Sequence, residues 1–204
     1  MKIYTGETGD PKKVKQLEKY DLGIMLSSSP NHRPSYKSYR KFSCALDNGA
    51  FACYRKGYPF QEDIFLWVLK RAYKGGLVLD FIVCPDIVCG GLTSLEFSRV
   101  WAKRLVGTPN LALAVHDGMK FKDLKARLGS QFSSFSYIFI GGSKEWKWKT
   151  AKDWVSFAHD YGKKCHIGQC GTIDKMICAK EIGADSIDST SIVRDNKISI
   201  LEEL

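Results

Sequence analysis

Short apolar runs recur along this chain, and stretches with helical spacing separate nearly all of them. Residues 3–4, 22–26, 44–46, 77–83, 111–115, 137–140, 165–167 and 184–188 read as strands. Runs 77–83 and 111–115 are almost continuously apolar, as strands covered on both faces are. Residues 11–20, 60–73, 94–105, 121–128, 150–161 and a stretch from Ile173 read as helices. In 60–73, Ile64, Leu66, Trp67, Leu69 and Ala72 supply the apolar positions. Residues 27–41, by contrast, form a polar loop. Strand–helix alternation predicts parallel βαβ units. Eight of them in one unbroken domain, residues 1–204, predict an α/β fold of the closed (β/α)8 TIM-type barrel class, close to its lower length limit. An open doubly wound sheet is the structural alternative. No G-x-G-x-x-G follows the first strand, which weakens a dinucleotide-binding version of it.

Residues 164–197, KCHIGQCGTIDKMICAKEIGADSIDSTSIVRDNK, spell out strand, Gly turn, helix, Gly turn, strand. Thr172 is placed to cap the helix, and Asp174 suits its first turn. Met176, Ile177, Ala179 and Ile182 give it an apolar face, and Gly183 is placed to stop it in a left-handed cap. The following strand ends in Asp188, and the carboxyl tip of a parallel strand is where an α/β barrel places its chemistry. The other strand ends collect Asp47, Asp86, His116, Asp117, Gly141, Gly142, Gly168 and Gly171. Several carboxylates at one mouth fit acid/base or nucleophilic catalysis.

The formal charge of +9 points to a polyanionic partner, nucleic acid first. Two segments interleave cations with aromatics: Arg33, Lys37, Arg40 and Lys41 with Tyr36 and Tyr39, and Lys144, Lys147 and Lys149 with Trp146 and Trp148. Such segments suit phosphate neutralisation with base stacking. The competing reading is a solvated surface with long basic stems laid along it. No run approaches the ~20 apolar residues of a membrane span, and MKIYTGETGD lacks the apolar stretch of a signal peptide. Cys44, Cys84, Cys165 and Cys178, four of seven cysteines, sit in apolar surroundings and are expected as reduced, buried thiols of a cytoplasmic protein. No C-x-x-C pair occurs, so no metal site is expected.

The last segment resembles the tRNA-guanine transglycosylase superfamily, whose pattern there is G-x-G-T-P-E-D-L, about ten helical residues, then G-V-D-M-F-D-C-V-x-P-T-R. Gly171-Thr172, Gly183, Asp185, Asp188 and Arg194 match it without insertion. Asp47-Asn48-Gly49-Ala50-Phe51 is similar to the family's D-S-G-G-F/Y, and Asp80 to Asp86 to its D-x-x-x-x-x-D. Ile140-Gly141-Gly142 matches I-G-G-L. Leu113 to Gly118 stands where the family has G-I-V-Q-G-G, with His116 or Asp117 in place of the Gln. After Gly142 the family's A-V-G-E is replaced by Lys144-Glu145-Trp146-Lys147, and Gly168 stands where some relatives carry a base-stacking Met. The likeness spans about residues 44–197.

The resemblance implies a barrel that exchanges a base in a nucleic acid. Asp188 inherits the role of nucleophile and Asp47 that of second catalytic carboxylate. Asp86 would bind the amidine edge of guanine or a 7-deazaguanine, and Phe51 would stack on the ring. Asn48, His116, Asp117, Gly141, Gly142 and Gly168 would complete the base pocket. Arg194, Arg40, Lys41, Lys144 and Lys147 would hold the nucleic acid. The implied partners are DNA or tRNA and a free guanine or 7-deazaguanine base, with no cofactor and no membrane. A second copy is a further expected partner, because family members often dimerise. As read, the chain has neither the family's zinc cluster nor its added RNA-binding domains. It is therefore similar to the reduced phage and bacterial proteins that insert 7-deazaguanines into DNA. Rival readings are a glycosylase or hydrolase on the same scaffold, a non-catalytic nucleic-acid-binding barrel, and a barrel enzyme for a small phosphorylated metabolite.

Overall fold

Each apolar run pairs in parallel with the next, and the eighth returns to the first, so the sheet closes as β1-β2-β3-β4-β5-β6-β7-β8. The computed structural model describes residues 1–28, 36–195 and 197–204. In chain order the elements are β1 (Lys2–Gly6), α1 (Pro11–Lys19), β2 (Gly23–Ser27), a 3-10 turn (Tyr36–Tyr39), β3 (Cys44–Asp47), α2 (Ala50–Arg55), α3 (Glu62–Lys74) and β4 (Leu79–Val83). There follow α4 (Gly91–Arg104), β5 (Leu111–Val115), α5 (Phe121–Leu128), β6 (Phe135–Ile140), α6 (Lys144–Asp160), β7 (Lys164–Ile167), α7 (Ile173–Glu181), β8 (Ser186–Asp188) and α8 (Ser191–Arg194). This is the (β/α)8 barrel that the alternation predicts.

Closure creates two cores. The larger lies between strands and helices and holds Trp101, Trp154, Phe65 and Phe135, all fully buried. The smaller joins Tyr4, Met25, Ala45, Phe81, Val83, Ala112, Ala114 and Tyr137, with Phe139 packed against it. These are alternate positions of their strands, the set that a closed sheet turns inward. β4 carries one extra residue opposite the Cys44–Ala45 step, and that residue is Asp80. Its carboxylate accepts the Tyr4 hydroxyl at 2.6 Å. Around that pair, at the amino end of the barrel, lies a cavity of about 270 Å³ lined also by Lys2, Ser43, Tyr137, Lys164, Asp185 and Ser186.

Several boundaries depart from the sequence expectation for local reasons. The helix expected at 150–161 starts at Lys144, because Ser143 caps it by accepting the Trp146 N–H. Thr172 holds the cap position of α7 in extended backbone, but its side chain makes no capping bond. Gly183 does take the left-handed conformation, at φ +82°. Trp67 does not join the core; it stands on the outer face of α3 at 38% exposure, while Phe65, Val68, Leu69 and Ala72 face inward. Cys44, Cys84 and Cys165 are buried and Cys178 is half-buried, all as free thiols. Among the described residues no helix is long and apolar enough to cross a membrane.

Gly23 shows how tightly the interior is filled. A β-carbon there would fall 2.5 Å from Cδ1 of Tyr4. Gly23→Ala is therefore expected to cost about 1–3 kcal/mol of stability through overpacking, read as an earlier urea midpoint with an unchanged slope.

Candidate active site

Parallel closure sends the carboxyl ends of all eight strands to one mouth. Asp47 ends β3, and Asp188 ends β8. Asp86 follows β4 by three residues, and His116 and Asp117 follow β5 directly. The carboxylates are close enough to act on one another: Asp47 feels both Asp188 and Asp86 as like charges.

Each acid has different partners. Asp188, with a side chain 15% exposed, accepts from Nε2 of His166 at 3.1 Å and from the Gln169 N–H at 3.2 Å, both at Oδ1. His166 is fully buried in β7, stacked on Phe139 with centroids 4.8 Å apart, and its Nδ1 lies 2.9 Å from the Ser186 hydroxyl. Burial holds the imidazole below its ordinary pKa, with the Asp188 bond opposing. A neutral ring facing a carboxylate donates from Nε2, so Nδ1 accepts from Ser186.

Asp86 is buried. Its Oδ1 accepts from the Asn48 amide at 2.6 Å, and its Oδ2 lies 2.6 Å from Nε2 of His116. The His116 contact is close but poorly aligned, and neither ring nitrogen has a hydrogen-bond partner among the described residues. Asn48 also donates to the Cys84 carbonyl at 2.9 Å, and its own oxygen accepts the Ala50 N–H at 2.8 Å. Both amide hydrogens are thus spent inside the protein. The expectation that Asn48 meets the base is corrected: it fixes Asp86 to the loop after β3.

Among the described residues Asp47 has only the backbone N–H groups of Gly49 and Asn48 to stabilise its charge. Burial first, then the charges of Asp188 and Asp86, push its pKa up to about 7. Asp117 goes the other way. Burial alone would raise it, but the Ser143 N–H at 2.7 Å and hydroxyl at 2.5 Å outweigh that and hold it below the ordinary carboxylate value. Asp117 therefore braces the start of α6. Gly142, at φ +75°, leaves room for it, since a β-carbon there would sit 2.5 Å from the Asp117 carboxylate. A β-carbon at Gly141 would lie 3.1 Å from Cε1 of His116, and one at Gly168 would lie 3.5 Å from Oδ1 of Asp188. Phe51, 44% exposed on the first turn of α2, is free of the core and open to a flat ligand.

The expected phosphate grips are largely occupied elsewhere. Lys147 is buried at 4% exposure, donating to the Gly168 carbonyl at 2.6 Å. Burial lowers its pKa, with the nearby Asp188 charge among the opposing effects. It braces the mouth from within and does not reach solvent. Tyr36 and Tyr39 are core residues. Arg40 donates to the Gly75 carbonyl at 2.7 Å, and Lys41 pairs with Glu18. Arg194 is exposed, with its fork taken by Asp195 at 2.7 and 3.0 Å. Lys144 is exposed at the start of α6, while Trp146 and Trp148 pack against the main core. Arg33 lies outside the described residues. The sequence reading missed His166. Its signal was a lone imidazole two residues before Gly168 in an otherwise apolar strand, on the alternation that a barrel turns inward.

Among the described residues no group of three or more His, Cys, Asp or Glu side chains is arranged to hold a metal ion. No protein-family model matches the chain, and no curated protein matches it in sequence.

The electrostatics make a stability prediction. Native Asp47 keeps its proton up to pH about 7, whereas the unfolded chain releases it at ~4. Between those values the native state binds the extra proton, so this group's contribution to stability falls as pH rises and levels off above 7. Asp47→Asn is neutral throughout. It is expected to raise the thermal midpoint by roughly 2–6 °C at pH 8 and by nothing near pH 4, as followed by calorimetry across that range.

Proposed function

We propose that this chain is a base-exchange glycosyltransferase. It replaces a guanine of a nucleic acid by a free 7-deazaguanine through an ester between Asp188 and C1′ of the sugar. The observation that carries the reading is the division of three converging carboxylates into three electrostatic settings. Asp188 is partly exposed and held by two donors, Asp86 is buried and anchored, and Asp47 is set to gain and lose a proton near pH 7. Environments that drive like groups apart are how one site assigns nucleophile, binder and acid/base. The motif resemblance adds the substrate class, and its likeness to reduced DNA-modifying proteins ranks DNA ahead of tRNA.

The nucleotide leaves its stack, since C1′ is otherwise out of reach. Its base lies against Phe51. Asp86 accepts Asn48 at Oδ1 and lies against His116 at Oδ2, and a carboxylate offers about four lone-pair sites. Two N–H groups of the guanine edge take their place among the rest. The buried ring of His116, with Nε2 2.6 Å from Oδ2 of Asp86, backs that carboxylate. Asp188 attacks C1′, and the C1′–N9 bond breaks with its electron pair going to the base. The departing base takes the Asp47 proton. The incoming 7-deazaguanine then gives its ring N–H proton to Asp47. Its nitrogen attacks C1′, and the ester bond breaks to regenerate the Asp188 carboxylate. Two inversions retain configuration, as in a retaining glycosidase. His166 holds the attacking carboxylate in line throughout.

The test is transfer of labelled guanine or 7-deazaguanine into single-stranded DNA, duplex DNA and tRNA, assayed separately. Label is expected in one polymer. Asp188→Ala is expected to abolish transfer, by ~10⁴-fold or more, and Asp47→Asn to slow it by ~10²–10⁴-fold. Wild-type protein that neither incorporates label nor releases a base overturns the reading. Release without incorporation makes the protein a hydrolase.

A further inference from the structure

Trp67, Lys70, Arg71 and Lys74 recur on α3 at i, i+3, i+4 and i+7, the spacing of a single helix face. The opposite face, with Phe65, Val68, Leu69 and Ala72, is packed into the core. The outer stripe lines a cleft of about 640 Å³, whose remaining walls are Tyr36 and Lys37 of the 3-10 turn, and Gly75. The cleft therefore holds four cations and no carboxylate among its lining residues. Lys37, Lys70 and Lys74 are exposed. Among the described residues none of the four cations has an ion-pair partner.

Arg71 is the built part. Its guanidinium carbon lies 4.7 Å from the centroid of Trp67 and 5.7 Å from that of Tyr36. The two rings fix the plane of a half-buried fork whose N–H donors bond nothing among the described residues. Stacking leaves the in-plane donors of a guanidinium available, and their geometry matches phosphate oxygens. Lys70 and Lys74 extend the row by one helical turn, ~6 Å along the axis, which suits a line of repeating charges better than a single anion.

We infer that this cleft grips the phosphodiester backbone of a nucleic-acid strand, at a place separate from the mouth. α3 runs from the carboxyl end of β3 back to the amino end of β4, so its second half stands on the outer wall away from the catalytic carboxylates. A strand with one nucleotide in the mouth would have its flank held here. The choice of nucleic acid rests on the proposed base exchange, whereas the cluster of unpaired cations does not. The site also takes over what the sequence reading gave to Arg40 and Lys41, whose side chains are engaged by Gly75 and Glu18.

The experiment is fluorescence anisotropy with a labelled single-stranded oligonucleotide over a salt series, using wild type, Lys70→Gln/Lys74→Gln and Arg71→Gln, each checked for an unchanged thermal midpoint. The double variant is expected to lose affinity by ~10-fold or more at low salt, and its log–log salt slope to become shallower by about 1.4, at ~0.7 per lost contact. Arg71→Gln is expected to lose a similar factor. Folded variants that bind with unchanged affinity and slope overturn the inference, including the case in which the cleft serves an acidic protein. Wild-type protein that binds no oligonucleotide overturns it as well. If wild type binds through the cleft yet transfers no base, the cleft stands and the proposed reaction falls. If it transfers base while the variants bind normally, the cleft alone is wrong.

Discussion

Closing eight parallel strands into a ring is the constraint from which the rest follows. A closed sheet has no open edge, so every strand is paired on both sides. It also leaves alternate residues no choice but the interior. That interior is narrow, and it is filled by Tyr4, Phe81, Tyr137, Phe139 and His166 stacked edge to face and face to face. The packing fixes the heights of the strand ends. Acids tens of residues apart in the chain, at Asp47, Asp86 and Asp188, meet at one rim because the strands that carry them end together.

Gathering anionic groups in a half-buried rim is unfavourable unless each is given something different. Asp188 has an imidazole and a backbone donor, and Asp86 has an amide tied down at all of its own atoms. Asp47 has, among the described residues, only two backbone donors and answers by keeping its proton. Burial and the charges of Asp188 and Asp86 push its pKa up to about 7, which makes proton transfer near neutral pH available at Asp47. Lys147 shows the same economy from behind: a cation that would be unremarkable in water is enclosed beside Gly168, where its charge supports Asp188.

Much of this was legible in the chain. Strand–helix alternation points to parallel βαβ units and their count to a barrel, and strand ends are local features, so Asp47, Asp86, His116 and Asp188 could be found by reading where apolar runs stop. What could not be read was the direction of side chains outside regular periodicity. Lys147, Tyr36 and Tyr39 lie among charged neighbours and look like surface residues, yet tertiary packing takes them inside. Trp67 counts as apolar in any pattern, yet its position on α3 turns it outward to carry an arginine. Thr172 has the right type and backbone for a cap, but its hydroxyl makes no capping bond. Asn48 looks like a ligand-reading amide until the Cys84 carbonyl, 36 residues away, claims one of its hydrogens. These are long-range facts, decided by which residues the fold brings opposite one another.

His166 has a consequence beyond its hold on Asp188. One ring nitrogen touches the carboxylate at the mouth. The other touches the Ser186 hydroxyl, and Ser186 lines the cavity at the opposite end beside Tyr4 and Asp80. The aromatic filling of the barrel is therefore crossed by one polar thread, and each link fixes the hydrogen of the next. While the imidazole is neutral it can donate in only one direction at a time. Donation to Asp188 from Nε2 leaves Nδ1 to accept from Ser186, so one tautomer of His166 serves both the carboxylate at the mouth and the hydroxyl at the far end.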